Sequence, residues 1–232
     1  MIELNYKYLA VIPARGGSKG IPNKNIIEIA GKPLVAWSIL HAKNSKVISE
    51  VMVSTDSPEI GAVANRFGAS VPFSRPAEIS TDQASTESVL LHALDWYKTQ
   101  KKIFDAVVLL QPTSPHRGPY AIDQAVAQFE AEKADSLLSA CENHYFFWSN
   151  KKEPKALYNF EKRPRRQDIS EDERWYRENG SIYITKSELL EKKRNRLGGK
   201  ISIFLMSEEE SYEIDSLTDL KVVSTIMESK IK

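Results

Sequence analysis

Tyr8-Leu9-Ala10-Val11-Ile12-Pro13-Ala14-Arg15-Gly16-Gly17-Ser18-Lys19-Gly20-Ile21-Pro22-Asn23-Lys24-Asn25 joins an apolar run to a loop crowded with glycine and positive charge. Tyr8–Ile12 reads as a buried strand. The twelve residues from Ala14 to Asn25 then hold three glycines and three long cations. Glycine lets a backbone come close to a ligand, while Arg and Lys supply fixed charge and many N–H donors. Such a loop, placed where a strand should turn back toward its helix, suits a polyphosphate.

What the loop lacks narrows the choice. No Lys-Ser or Lys-Thr follows Gly20, so it is not a P-loop, and its glycine spacing is not that of a dinucleotide fingerprint. A dinucleotide turn relies on backbone N–H groups and a helix dipole rather than on cations. Three cations imply a more anionic ligand, such as a nucleoside triphosphate. A solvated basic loop is the bland alternative. Pro22, which stiffens the loop, and Val11-Ile12-Pro13 ahead of it favour binding.

Strand and helix signals alternate through the first 140 residues. Glu50–Ser54, a short Val71–Phe73, Asp105–Leu110 and Ser136–Ala140 read as further strands. Ile60, Val63, Ala64 and Phe67 follow helical spacing behind Ser57-Pro58, with Gly68 as terminator. Ile122, Ala125, Val126 and Phe129 repeat it, and Val89, Leu90, Ala93, Leu94 and Tyr97 mark another apolar face. This order predicts a Rossmann-like α/β fold, a mostly parallel sheet with helices on both faces. Ligands then bind at the C-terminal ends of the strands.

From residue 141 to residue 200 the pattern changes. Tyr145-Phe146-Phe147-Trp148 is followed by a charged stretch, a short Ser181–Thr185 strand and a charged helix. This predicts one domain over 1–232 with an inserted segment at 141–200. Its aromatics suit either an oligomer contact or a hairpin packed on its own subunit. Ile201–Met206 returns as a strand. A final helix begins at Ser216, whose Ser216-x-x-Asp219 is a capping box.

The 32 basic and 31 acidic residues nearly cancel, which argues against a general nucleic-acid or membrane-surface binder. A lone Cys141 excludes an intrachain disulfide and fits a reducing compartment. Met1–Lys7 is mixed and polar rather than a secretory leader, and no apolar run is long enough to span a membrane. A cytoplasmic protein is expected.

Three further loops at strand ends carry polar chemistry. Arg75-Pro76-Ala77-Glu78 through Thr86 is longer than most connections, as binding loops are. Gln111-Pro112-Thr113-Ser114-Pro115-His116-Arg117 is stiffened by two prolines, which holds Gln111 in a set orientation. His116 has no acid beside it and is left out of the catalytic set. Glu213-Ile214-Asp215 puts two carboxylates on one side of an extended segment, a minimal Mg²⁺ arrangement beside substrate phosphates. Asp215 could instead merely complement the dipole of the following helix. Four scattered histidines and one cysteine give no zinc-ligand spacing.

Together these loops resemble the CMP-sialic acid synthetases (acylneuraminate cytidylyltransferases) over nearly the whole chain. The resemblance rests on Ile12–Gly20, Ser54-Thr55-Asp56, Arg75–Glu78, Gln111–Pro115, Arg166-Gln167-Asp168, Glu178–Tyr183 and Glu213–Asp215. It implies Mg²⁺-assisted transfer of CMP from CTP to the anomeric hydroxyl of a nine-carbon 2-keto sugar acid, a nonulosonic acid, with release of pyrophosphate. Arg15, Lys19 and Lys24 would hold the triphosphate and Asn25 the nucleotide. Arg75, Ala84 and Thr86 would read cytosine and ribose. Gln111 and Tyr183 would contact the sugar acid, and Arg166 its carboxylate side. Asp215 would be the main metal ligand, with Glu213 beside it. Residues 141–200 would cross to a second subunit, giving a homodimer whose partners complete each sugar site.

Two departures bear on substrate. Glu213 stands where the family commonly has Asp. Arg196-Leu197-Gly198-Gly199-Lys200 replaces a paired-phenylalanine pocket wall, and with Arg177–Ile184 leans toward legionaminic-type acids. The alternatives are a CMP-KDO synthetase-like enzyme and a non-catalytic nucleotide-binding dimer.

Overall fold

The structure is a computed structural model that describes residues 6–18 and 20–230. Six strands form its sheet: β1 Tyr8–Pro13, β2 Ile48–Ser54, β3 Ala106–Leu110, β4 Ser136–Asn143, β5 Trp175–Lys186 and β6 Ile201–Leu205. Their spatial order is β6-β4-β5-β3-β1-β2. β1 pairs in parallel with β2 and β3, and β6 with β4; β5 runs antiparallel to both of its neighbours. The expected mostly parallel sheet is present.

Among the described residues six α-helices cover it: α1 Leu34–Asn44, α2 Pro58–Arg66, α3 Thr86–Thr99, α4 Ala121–Ala131, α5 Ser187–Lys193 and α6 Leu217–Ser229. Strand side chains alternate between the two faces. Tyr8, Ala10 and Ile12 of β1 pack with residues of α1, α2 and α4, whereas Leu9 and Val11 join α3 and α5 on the other side. A third cluster, Ile21, Ile29, Leu34, Ile214, Val223 and Met227, ties the opening loop and the Glu213–Asp215 segment to α6. It brings the opening loop and the last helix together beside the site.

Local chemistry starts the helices as expected. Ser57 Oγ accepts from Ile60 N at 3.4 Å with Pro58 opening α2. Ser216 and Asp219 cap α6 reciprocally, at 2.7 Å and 3.2 Å.

The chain departs from expectation in two places. Val71–Phe73 is not a strand; single parallel bridges join Ser70 to Met52 and Ser74 to Thr55 on either side of it. Pro72 between them has no N–H to give a ladder. The Ser181–Thr185 strand, placed within the 141–200 segment, belongs to the twelve-residue β5 in the middle of the sheet. Its first half, Trp175-Tyr176-Arg177-Glu178, is largely exposed and charged, so it carries no buried-strand pattern.

β5 also contains the bulge that shapes the site. Leu138 faces Tyr183 and Ala140 faces Glu178, so only Ser139 stands opposite residues 179–182. Ser139 Oγ fills the gap, donating to Asn179 Oδ1 at 2.6 Å and accepting from Ile182 N at 2.8 Å. Bulges re-aim a strand next to active sites. Here Gly180 takes φ +63° and is turned toward Gln111 and Glu213.

Between β4 and β5 lies an arm with a two-residue ladder, Trp148–Ser149 against Lys155–Ala156. The Phe146 and Tyr158 rings meet at 4.3 Å between centroids, tilted by 34°, with Arg163 over Phe146 at 4.5 Å. Tyr145, Phe147, Trp148 and Phe160 remain exposed.

Candidate active site

The C-terminal ends of β1 and β3 open into one cavity of about 400 Å³, within the usual size of a small-ligand site. Arg15, Lys24, Asn25, Arg75, Ala84, Thr86, Gln111 and Asp215 all line it. Loops distant in sequence therefore meet here as expected. Lys19 lies outside the described residues.

The opening loop is held by its neighbours before any ligand arrives. Ala14 N donates to Ser54 O at 2.9 Å, and Gly16 N to Asp56 Oδ1 at 2.9 Å. Asn25, buried, donates from Nδ2 to Arg15 O at 2.9 Å and so closes the loop on itself. Gly20 has no room for a side chain, because a Cβ there would lie 2.7 Å from Asp215 O. Preorganised donors cost no reordering when the charge to be bound appears.

Charge in the cleft is positive but paired. Arg15 Nη2 meets Asp82 Oδ1 at 2.5 Å, and Lys24 Nζ meets Asp215 Oδ1 at 3.2 Å and Ile214 O at 2.9 Å. Arg75 is buried; its Nε donates to Ser54 Oγ at 3.1 Å and its Nη2 to Ser54 O. Burial lowers its pKa to about 10, against the opposing pull of Asp56, so it stays charged at neutral pH. The fork thus holds the end of β2 while facing the cavity.

Gln111 and Glu213 converge on the β5 bulge. A Cβ at Gly180 would meet Glu213 Oε2 at 2.5 Å and Gln111 Oε1 at 2.7 Å. Burial first, then the nearby Asp215 charge, pushes the Glu213 carboxyl above its ordinary range. Ile214 N donates to Thr113 O at 2.8 Å and ties this acidic segment to the proline loop. Among the described residues no group of three or more His, Cys, Asp or Glu is placed to hold a metal ion.

Tyr183 and Arg166 are not brought into this cavity. Tyr183 lies in the core against α3, its hydroxyl donating to Glu178 and its ring 4.7 Å beneath Arg196. Burial raises its pKa further above the ordinary phenol value. Arg166 lies on the arm and lines a separate cavity of about 430 Å³ with Tyr145, Phe146 and Trp175. His116, set aside as a base, places Nδ1 3.2 Å from Glu209 O and is not part of the cleft lining.

Sequence reasoning missed two participants. Asp82 sits inside the quoted second loop, but its ion pair with Arg15 joins residues with no local relation. Arg117 closes the proline loop, yet nothing beside it in sequence announces that it is buried.

A glycine- and cation-rich loop at the strand ends of a mainly parallel doubly wound sheet defines a nucleotide-handling α/β transferase. The chain belongs to the cytidylyltransferase family, whose model matches residues 9–231. It is similar to the pseudaminic acid cytidylyltransferase of Campylobacter jejuni, 34% identical, covering 93% of this chain and 94% of that one. It is 35% identical to the CMP-N,N'-diacetyllegionaminic acid synthase of Legionella pneumophila, covering 96% of this chain and 97% of that one. The Escherichia coli N-acylneuraminate cytidylyltransferase is 33% identical over 97% of this chain, which spans 53% of that protein. Among solved structures, a CMP:2-keto-3-deoxy-manno-octonic acid synthetase complexed with CTP superposes with TM-score 0.72 at 20% identity, covering 97% and 99% of the two chains. That likeness is one of fold.

Proposed function

We propose that this cytidylyltransferase moves CMP from CTP to the anomeric hydroxyl of a nine-carbon 2-keto sugar acid and releases pyrophosphate. The observation that carries the reading is the convergence of Arg15, Lys24, Arg75, Gln111 and Asp215 on one cavity at the strand ends. The relatives named for pseudaminic, legionaminic and neuraminic acids support the acceptor class. The Arg196–Lys200 segment leans the choice toward a legionaminic-type acid.

In this reading Arg15, Lys19 and Lys24 hold the triphosphate. Asn25, Arg75 and the turn from Ala84 to Thr86 bound the nucleoside, and Gln111 faces the acceptor. The acceptor's anomeric hydroxyl bonds through its oxygen to the α-phosphorus and gives up its proton to solvent, while the bond from that phosphorus to the bridging oxygen breaks and pyrophosphate leaves with that oxygen. The cations of the opening loop stabilise the charge that builds on the phosphoryl oxygens and the departing pyrophosphate.

Mg²⁺ fits the donor chemistry of Asp215 and Glu213: burial first, and then the Asp215 charge, hold the Glu213 carboxyl above its ordinary range, and a cation would favour its charged form. Asp215 and Glu213 would hold it with the substrate phosphates, as this ion favours one or two carboxylates plus phosphate oxygens. It would supply neutralising charge at the transferring phosphate.

A homodimer is supported by the exposed aromatics of the arm, since monomers seldom present such a patch. Arg166, remote from its own cleft, reaches a sugar acid if the arm crosses to a second chain. No helix among the described residues is long and apolar enough to cross a membrane. The lone buried Cys141 and a CTP substrate favour a cytoplasmic setting.

The test is pyrophosphate release from CTP and Mg²⁺ with pseudaminic, legionaminic and N-acetylneuraminic acids and with KDO. Release with the nine-carbon acids is expected. Release with KDO alone moves the assignment to the eight-carbon class, and release with none leaves a nucleotide-binding dimer.

A further inference from the structure

Arg117 is 3% exposed and lies behind the proline loop rather than in the cleft lining. Its Nη2 donates to Gln111 O at 2.9 Å and to Ser181 O at 2.8 Å. Its Nε reaches Ser181 O at 3.3 Å, and its Nη1 donates to Ser38 Oγ at 3.0 Å. Every one of these acceptors is uncharged, and burial alone lowers the guanidinium pKa, to about 9. A cation taken out of water without a counter-charge is costly, and a loop needing only stability could be held by neutral groups.

What the fork spans suggests why it is there. Gln111 is the first residue past β3, Ser181 sits in the β5 bulge and Ser38 lies in α1. One planar guanidinium thus bonds the carbonyl just past β3 and one within the neighbouring β5, which a lysine ammonium cannot do with fixed geometry. The Gln111 side chain in turn faces Gly180, where an added Cβ would lie 2.7 Å from Gln111 Oε1 and 2.5 Å from Glu213 Oε2. The Gln111 carbonyl also accepts from Ser114 N at 3.2 Å and from Ser38 Oγ at 3.5 Å; Arg117 adds to these the bridge from that carbonyl to Ser181 O.

We propose that Arg117 is a positioning residue for the acceptor half of the cleft, fixing Gln111 against the β5 bulge through the Gln111 and Ser181 carbonyls. This rests on the assignment of Gln111 to the sugar acid made above. Arg117 touches neither substrate; it sets the register between the glutamine and the wall opposite.

The test is steady-state kinetics on Arg117→Met, Arg117→Lys, Ser38→Ala, Gln111→Ala and the Gln111→Ala/Arg117→Met double variant, each with its melting temperature. In Arg117→Met, kcat/KM for the sugar acid should fall about tenfold or more while KM for CTP stays within about twofold. Arg117→Lys should recover part of that loss. Ser38→Ala, which removes one anchor of the fork, should raise acceptor KM in the same sense by a smaller factor. If Arg117→Met does not fold, Arg117→Lys carries the test, because Ser38 Oγ also donates directly to Gln111 O at 3.5 Å. In the Gln111→Ala background, Arg117→Met should cost less than about threefold, because the two act as one unit.

Parallel losses for CTP and acceptor, or penalties that multiply in the double variant, would overturn the proposal. If Gln111→Ala leaves acceptor kinetics untouched, the assignment of Gln111 fails and takes the proposal with it. If Gln111→Ala acts but Arg117→Met and Ser38→Ala do not, only the positioning role fails.

Discussion

Lys24 Nζ stands 3.2 Å from Asp215 Oδ1, so the last cation of the opening loop meets an acid 191 residues further on. Lys24 is largely covered and Asp215 largely exposed. The pair holds a cation and an acid together in the cavity lining, where the proposed reading has a triphosphate and its metal engage them.

Asp215→Ala should therefore keep the fold, because its side chain is 75% exposed, and cut turnover about a hundredfold or more. Circular dichroism and pyrophosphate release check the two halves. Turnover near wild type in a folded variant would remove Asp215 from the active site.

Gly180→Ala should be damaging out of proportion to one methyl group. Its Cβ would lie 2.5 Å from Glu213 Oε2 and 2.7 Å from Gln111 Oε1, at φ +63°. Strain at such a position costs about 1–3 kcal/mol, and displacement of either side chain spoils the acceptor wall. A lower melting temperature together with weakened acceptor kinetics is expected. An unchanged acceptor KM would show that the bulge does not set that wall.

Acid should destabilise the protein partly through His41. Burial and the nearby Arg117 charge lower its pKa to about 3, whereas an unfolded histidine titrates near 6.5. The unfolded state therefore binds more protons between those values. Stability is unaffected by this residue above about pH 6.5 and falls as pH drops toward 3, by up to about 1.4 kcal/mol per unit. Melting temperatures from pH 7 to pH 4 should fall less steeply in His41→Asn than in the wild type, even if that variant starts lower. Equal slopes would refute the assignment.

Mixing Arg166→Ala with Lys24→Ala should restore activity that neither has alone, if the arm serves a partner's cleft. Random exchange of a two-fold dimer leaves about a quarter of sites with both residues intact. Light scattering reads the dimer and turnover reads the complementation. Failure to regain activity in exchanged dimers would place Arg166 and Lys24 in separate functions.

Much of this molecule was legible in its sequence. The apolar runs of β1 and β3 and the spacing of Ile60, Val63, Ala64 and Phe67 are local patterns, and local patterns follow from backbone geometry. The Ser57 and Ser216 caps are equally local, since a side chain there bonds N–H groups two or three residues away. The cavity-lining members of the site were legible for a related reason. Strand ends in a parallel sheet share one edge, so loops that follow strands meet wherever the fold is right.

β5 could not be read the same way. Its exposed first half shows no buried-strand alternation, and its bulge is made by Ser139 in another strand. Tyr183 lies in the core rather than the cleft because a strand side chain's face depends on register, which pairing alone sets. Arg117 looked like one more loop cation. Its burial depends on Ser38 and Ser181, far from it in the chain.

The order of residues alone thus settled the strand–loop–helix units and the positive loop, because these rest on dihedral preferences and neighbours within a few positions. The tertiary structure alone decided that an antiparallel strand divides the sheet and that Gly180 faces Gln111 and Glu213. It also seated a buried guanidinium behind the glutamine. Those outcomes are contacts between residues dozens to hundreds of positions apart. Packing and hydrogen-bond satisfaction choose them only when the whole sheet closes.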